Sequence, residues 1–435
     1  MTNRLLKIGS EILNNKFKIY NAEALDILQH LFKVKKINDH TLHFVAKFLG
    51  QLDLGRFGKA VNASIDVFNL IRCEYNESKG HPYWKDRGYT ADDIIEVVEA
   101  ENTDKCIAKY ICEEINEFNG PQLKIKIIRS RKNDAICVLM NHMLCDAAGF
   151  KEYLYMLSDI YTNANNETRG DYQITAMGNR KIGEIFKVFS LLDKLKIIFS
   201  KIDMSKHDSA KFELEGDLNN PFIEIRTINA ERFCRLKIYA KEHSATINDI
   251  MLVAYIRVLF QLFGRTLTIP CAVDLRKYLS NHKALGICNL ITNINCSIGP
   301  EIGTTFEETV CKVKSTMDKQ KSDISCVKSL IVLEKVFDIF PYKIAEAIVN
   351  KNFSNPLIAI TNIGIIDKKR IIFEKVEIVE AYITGSIKYN PYVQLAISTF
   401  DNKITLSINL YGTKADQNKI SSFLDRFINE LQDVI

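Results

Sequence analysis

The sequence predicts an α/β protein of two lobes with mixed β-sheets, and three observations carry that expectation. At 435 residues the chain exceeds the size at which one hydrophobic core usually keeps growing, so two domains are expected. Segments of strand period and helix period are interspersed without a regular βαβ rhythm. Several strands stand in hairpin-like pairs, which calls for mixed rather than all-parallel sheets.

The first unit lies between Thr41 and Tyr75. HTLHFVAKFLGQLD alternates apolar and polar residues as a strand does, and KAVNASIDVFNLIRCEY places Ala60, Ile65, Phe68 and Ile71 at helical spacing. Residues 76–92, NESKGHPYWKDRGYTAD, carry the turn chemistry of an exposed loop. Leu123, Ile125 and Ile127 alternate with polar partners, SRKND at 130–134 supplies a turn, and an apolar strand returns over 135–144. This predicts a hairpin whose second strand is central and buried on both faces. Phe150, Tyr153, Leu154, Leu157 and Tyr161 then switch to helical period.

The polar stretch YTNANNETRGDYQ at 161–173 is the expected linker, dividing an N-terminal lobe, 1–172, from a C-terminal lobe, 173–435. Beyond it, 182–200 and 230–263 have helical period, with a strand expected at 222–227. Thr246 followed by Asp249 is a capping box that opens a long buried helix. Strands are expected at 267–273, 287–296, 357–363, 376–383, 392–400 and 403–410, helices between 305 and 350, and a last helix over 416–434.

Composition narrows the function. Hydrophobic residues at 47% and charged residues at 26% are ordinary for a soluble folded chain. A net charge of +5 with scattered lysines and arginines gives no nucleic-acid footprint, though it is compatible with a phosphate-bearing ligand. The 11 cysteines form no CxxC pair and read as buried thiols of a reducing cytoplasm. The opening MTNRLLKIGSEILNNKF is too broken by charge for a signal peptide. The longest apolar run, Ile250 to Phe263, carries Arg257, so no membrane span is expected.

The chemistry concentrates in AICVLMNHMLCDAAGF, residues 135–150. Ile136, Val138, Met140 and His142 share one strand face, so His142 stands at the exit of an apolar surface. A half-dry imidazole stays neutral and can serve as a general base, or it can be a core histidine satisfied by a backbone carbonyl. Asp146 stands at a helix N-cap position, or could orient His142 or pair with an arginine. Gly149 permits a close backbone approach. Cys145, three residues from His142, faces away from it on a strand and reads as packing rather than as a nucleophile. No second histidine or cysteine cluster completes a metal site around His142, Cys145 and Asp146. GxSxG, Walker, HExxH and convincing GxGxxG patterns are missing, so the corresponding hydrolase, nucleotide-triphosphatase, zinc-protease and dinucleotide readings lose weight.

HMLCDAAG spells HxxxDxxG at 142–149, on a strand leading into a helix. This resembles the signature of the coenzyme A-dependent acyltransferase superfamily: chloramphenicol acetyltransferase, BAHD enzymes, alcohol acetyltransferases, wax ester synthases and nonribosomal peptide synthetase condensation domains. AVDLRKYL at 272–279, GICNLITNIN at 286–295, ITNIGII at 360–366, the capping-box helix and GQLDLGRFGKAVNASIDVFNLIR at 50–72 resemble further family segments in the same order. The resemblance implies two chloramphenicol acetyltransferase-like lobes, each a mixed sheet flanked by helices, with a tunnel between them. It implies His142 as base, Asp146 in a structural ion pair with Arg276, and Thr361 or Asn362 near the substrate. The donor would be a thioester of coenzyme A or of an acyl or peptidyl carrier protein, with no permanently bound cofactor or metal, and the acceptor a small hydroxyl or amine compound. A stand-alone condensation domain and a non-catalytic carrier- or acyl-binding module are the alternatives. The chain departs from the family at Ala147, where many members have glycine, and at Asn141, where condensation domains carry a second histidine; it also lacks the DFGWG motif of plant members.

Overall fold

Residues 18–77, 80–163, 177–200, 208–284 and 286–434 are described by the computed structural model. The strands in chain order are β1 (Ile19–Asn21), β2 (Thr41–Leu49), β3 (Cys73–Asn76), β4 (Tyr83–Asp86), β5 (Ile95–Glu99), β6 (Leu123–Arg129), β7 (Asp134–Asn141) and β8 (Pro221–Ile228). They continue as β9 (Ile269–Asp274), β10 (Ile291–Cys296), β11 (Ile358–Ile366), β12 (Glu377–Thr384), β13 (Lys388–Tyr389), β14 (Val393–Phe400) and β15 (Lys403–Tyr411). Among the described residues they form a five-stranded sheet of order β12-β2-β7-β6-β5 and a seven-stranded sheet of order β10-β9-β11-β14-β15-β13, with β8 also on β15. A small three-stranded sheet has the order β1-β4-β3.

The hairpin β6–β7 forms as its apolar pattern requires, and every residue of β7 is buried. Ile136, Val138 and Met140 enter the main core on one face, while Ala135, Cys137 and Leu139 pack with Ile107 and Tyr110 on the other. Each such side chain contributes about 1.5–3 kcal/mol by leaving water, which fixes the register and hence where the strand ends. Helices Leu54–Val67 and Ala147–Thr162 cover the first face through Phe57, Ala60, Val61, Phe150, Tyr153 and Leu157.

Several boundaries differ from expectation. Asp53 caps the helix Leu54–Val67 through the Arg56 amide, so it begins before Lys59; it ends at Phe68, and Cys73–Tyr75 turn into β3 because Cys73 and Tyr75 pair with β4 and face the core. The segment 76–92 is no simple loop, since it contains β4 and the fully buried Trp84. The helical stretch 182–200 breaks at Phe189 and Ser190 into Gly183–Val188 and Leu191–Phe199, the second capped by Ser190. Residues 287–290 are not strand, and β10 begins at Ile291. Thr246 and Asp249 do form the capping box of Ile247–Phe263, the central helix of the second core.

The two halves are interleaved. The expected division near residue 172 lies outside the described residues, but part of the 173–435 half packs with the first. β12 pairs antiparallel with β2, and helices Lys328–Ile339 and Tyr342–Asn352 bury Leu330, Phe337, Tyr342 and Ala345 in the main core. The Ile383 amide donates to Ser398 Oγ of β14 at 3.2 Å, joining the two large sheets. All 11 cysteines are free thiols. Among the described residues no single helix is long and apolar enough to cross a membrane.

Candidate active site

The end of β7 is held by side chains before any chemistry is considered. The His142 amide donates to the His40 carbonyl at 2.7 Å, extending the pairing with β2 by one step. Asn141 locks the turn from behind: its Oδ1 accepts from the Met143 amide at 2.8 Å and its Nδ2 donates to Gln122 Oε1 at 2.6 Å. From the other half, Asn289 Nδ2 donates to the carbonyls of His142 and Met143 at 2.9 and 3.1 Å.

Of the three roles foreseen for it, Asp146 fills two, the helix cap and the arginine pair. Its Oδ1 caps the helix Ala147–Thr162 by accepting from the Gly149 amide at 2.8 Å. Its Oδ2 accepts from Arg276 Nη1 at 2.9 Å and from the Leu290 amide at 2.7 Å. Burial alone would raise this carboxyl, but the Arg276 charge and the bonds from Arg276, Gly149 and Leu290 outweigh it and hold Asp146 below the usual carboxylate range. Arg276 also donates to the Cys288 carbonyl at 2.8 Å, so one guanidinium clamps the motif turn against the segment 287–290. That segment stays out of the sheet because its backbone serves the ion pair.

Gly149 sits where no side chain fits: a Cβ would lie 2.7 Å from Cys145 Cβ and 3.0 Å from the Cys288 carbonyl oxygen. Cys145 is fully buried, its Sγ lies 3.3 Å from Met140 Sδ, and burial pushes its thiol well up. A protonated, enclosed sulfur is no nucleophile.

His142 lines a cavity of about 170 Å³ between the halves, together with Gln29, Ala147, Thr361, Lys388 and Gln394. Its Nδ1 is enclosed without a protein partner, which leaves Nε2 as the ring nitrogen for the cavity. Burial pushes the imidazole down to about 4, against smaller upward pulls from its own carbonyl and Asp146. The ring is therefore neutral near pH 7, with a free lone pair. Thr361 reaches the same cavity, but Asn362 does not. Alternation along β11 turns Asn362 to the other face, where its Nδ2 donates to Asn248 Oδ1 at 3.2 Å and its Oδ1 accepts from the Gly364 amide at 2.9 Å. Among the described residues no cluster of three His, Cys, Asp or Glu side chains could hold a metal ion.

A second buried ion pair was not read from the sequence. Arg180 donates to both oxygens of Asp26 at 3.0 and 2.9 Å and to the carbonyls of Leu144 and Ile287, while Trp84 Nε1 donates to Asp26 at 3.1 Å. It braces the same turn through the Leu144 carbonyl and the neighbouring segment through Ile287. Lys388, also unforeseen, follows β12 into the cavity.

Comparison with known proteins agrees with this architecture. Residues 287–434 match the family described as "WS/DGAT C-terminal domain". Similar solved structures include TRI3 trichothecene 15-O-acetyltransferase from Fusarium sporotrichioides, at 12% identity over 95% of this chain and 94% of that one, with a TM-score of 0.69. SgcC5 from Streptomyces globisporus is 10% identical over 95% and 98%, with a TM-score of 0.67. The first condensation domain of the CDA synthetase is 12% identical over 97% of each chain, with a TM-score of 0.67. Comparison with curated proteins gives no match. The chain has the two-lobed chloramphenicol acetyltransferase-like fold of these structures, and its C-terminal third matches the WS/DGAT C-terminal domain, as the resemblance in the sequence implies.

Proposed function

We propose that this protein is an acyltransferase that moves an acyl group from a thioester, on coenzyme A or on the phosphopantetheine of an acyl or peptidyl carrier protein, to a hydroxyl or amine. The observation that carries the reading is a neutral His142 with one ring nitrogen open to a cavity between the halves, on a turn fixed by Asp146, Arg276 and Asn289.

In this reading the acceptor hydroxyl or amine donates a hydrogen bond to His142 Nε2. The imidazole takes that proton as the acceptor atom attacks the thioester carbonyl carbon; the new carbon–oxygen or carbon–nitrogen bond forms, and charge moves to the carbonyl oxygen. Thr361 is a cavity hydroxyl able to donate to that oxygen. Collapse breaks the carbon–sulfur bond, and the imidazolium returns its proton to the thiolate. Depression of the imidazole makes the second transfer favourable and the first correspondingly harder, so the base's contribution, about 10²–10⁴-fold in general, rests on its position. No acyl-enzyme is required.

Release of free thiol from acyl-CoA and from acyl-carrier-protein panels should depend on added acceptor and vanish in His142→Ala. Normal turnover by His142→Ala would sink this mechanism. The two panels also separate coenzyme A from carrier-bound donors, and an amine-only acceptor profile with carrier-bound aminoacyl groups would select the condensation reading.

A further inference from the structure

The cavity beside His142 offers more hydrogen-bond donation than proton abstraction needs. Lys388 lines it, and burial pushes its ammonium down to about 8 against an upward pull from Asp39. Among the described residues no carboxylate stands within ion-pair distance of that ammonium. Asp39 uses Oδ1 to accept from the Thr41 and Ile387 amides at 3.1 and 2.9 Å, while its Oδ2 is buried without a hydrogen-bond partner. Two further lining residues present buried donors with no protein partner, Asn355 Nδ2 and Ser386 Oγ.

Buried donors such as those of Asn355 and Ser386 are nearly always met in folded chains, and the half-buried Lys388 beside them lacks an ion-pair partner. A wholly neutral acyl chain or simple alcohol would leave the charge of Lys388 with only Asp39, beyond ion-pair distance, to compensate it. A carboxylate supplies the counter-charge and two acceptor oxygens, enough for a charge-assisted bond to the lysine and further bonds to the amide and hydroxyl. Asp146 cannot serve, because its oxygens are taken by Arg276, Gly149 and Leu290.

We infer that Lys388, with Asn355 and Ser386, forms a carboxylate-recognition site in this cavity, so that one of the two substrates is an acid bound by its carboxylate away from the reacting atoms. The substrate assignment rests on the acyl-transfer reading; the anion site itself does not.

Isothermal titration of the full chain with hexanoate and hexanamide tests the site, since the two differ in charge but little in shape. Hexanoate should bind more tightly by about tenfold, the scale of one hydrogen bond to a charged group. The preference should disappear in Lys388→Met and persist in Lys388→Arg and in His142→Ala. Equal affinities in the unmodified protein overturn the inference, and so does a preference that survives Lys388→Met. If Lys388→Met loses its cooperative melt, Lys388→Gln takes its place.

Two turnover arms then locate the carboxylate. Succinyl-CoA is compared with butyryl-CoA on one alcohol, and 4-hydroxybutanoate with butane-1,4-diol on one donor. Lys388→Met should erase discrimination in one arm, and loss in neither overturns the substrate assignment. If hexanoate binds through Lys388 while no thioester turns over, the acyl-transfer reading fails and the anion site stands. Turnover without any carboxylate preference has the opposite meaning.

Discussion

Asn289 and His142 are joined across the two halves: the amide of the first donates to the carbonyl of the second at 2.9 Å and to the next carbonyl at 3.1 Å. Asn289 touches no reacting atom, so it is a positioning residue. Asn289→Ala frees two carbonyls and lets the imidazole drift, and a displacement of about 1 Å can cost about 10²-fold in rate. The loss should fall on kcat with KM little changed, and Asn289→Gln, which keeps the donor, should recover part of it. A KM effect without loss of kcat would assign Asn289 to substrate binding instead.

The Asp146–Arg276 pair should behave as a buried clamp. Arg276→Met leaves the Asp146 carboxylate enclosed without its cation, and breaking such a pair costs roughly 3–5 kcal/mol. Chemical denaturation should show that loss in Arg276→Met. The double change Asp146→Asn with Arg276→Met removes both charges and should recover part of it. Additive losses would show that the pair contributes no coupling.

The pH dependence of kcat/KM should carry the mark of the buried imidazole. Its folded value, about 4, lies below the ordinary 6.5, so His142 is unprotonated and competent at every pH well above 4. The acid limb should therefore be almost flat from pH 8 down to pH 5. A limb centred near 6.5 would mean that the catalytic imidazole is as open to water as a surface histidine.

Two substitutions in the same turn should part company. Gly149→Ala forces a methyl group against Cys145 and the Cys288 carbonyl, and overpacking of this kind costs about 1–3 kcal/mol while moving the turn, so both melting temperature and turnover should fall. Cys145→Ala removes a buried sulfur that the mechanism never uses. Its turnover per folded molecule should stay within about twofold of the unmodified rate, and the thiol-release assay decides it.

What could be read in advance was whatever is local. β7 announces itself because eight successive positions are packed on both faces, and HxxxD fits within five residues of one turn. Arg276 was reachable only through its VDLR neighbours, since nothing in its own spacing points to a carboxylate 130 positions away. Asp26 and Arg180, 154 positions apart, have no such neighbours and went unseen. In 76–92 the glycine, proline and aspartate signals masked β4; the single tryptophan of the chain, beside a tyrosine, was the clue that a buried element lay there. Asn362 was misplaced for the opposite reason. ITNIGII does form a strand beside the cavity, but a strand sends only every second side chain to a given face, so Thr361 reaches the cavity and its neighbour cannot.

The pairing of β12 with β2 also sets a timetable for synthesis. β2 and β7 leave the ribosome long before residue 384, and until then the outer row of β2 amides and carbonyls has no strand to meet. An unpaired row of this kind recruits other chains. Nascent protein stalled between residues 163 and 377 should therefore depend on chaperones far more than chain released at full length, and the second half of the molecule decides when the first is safe.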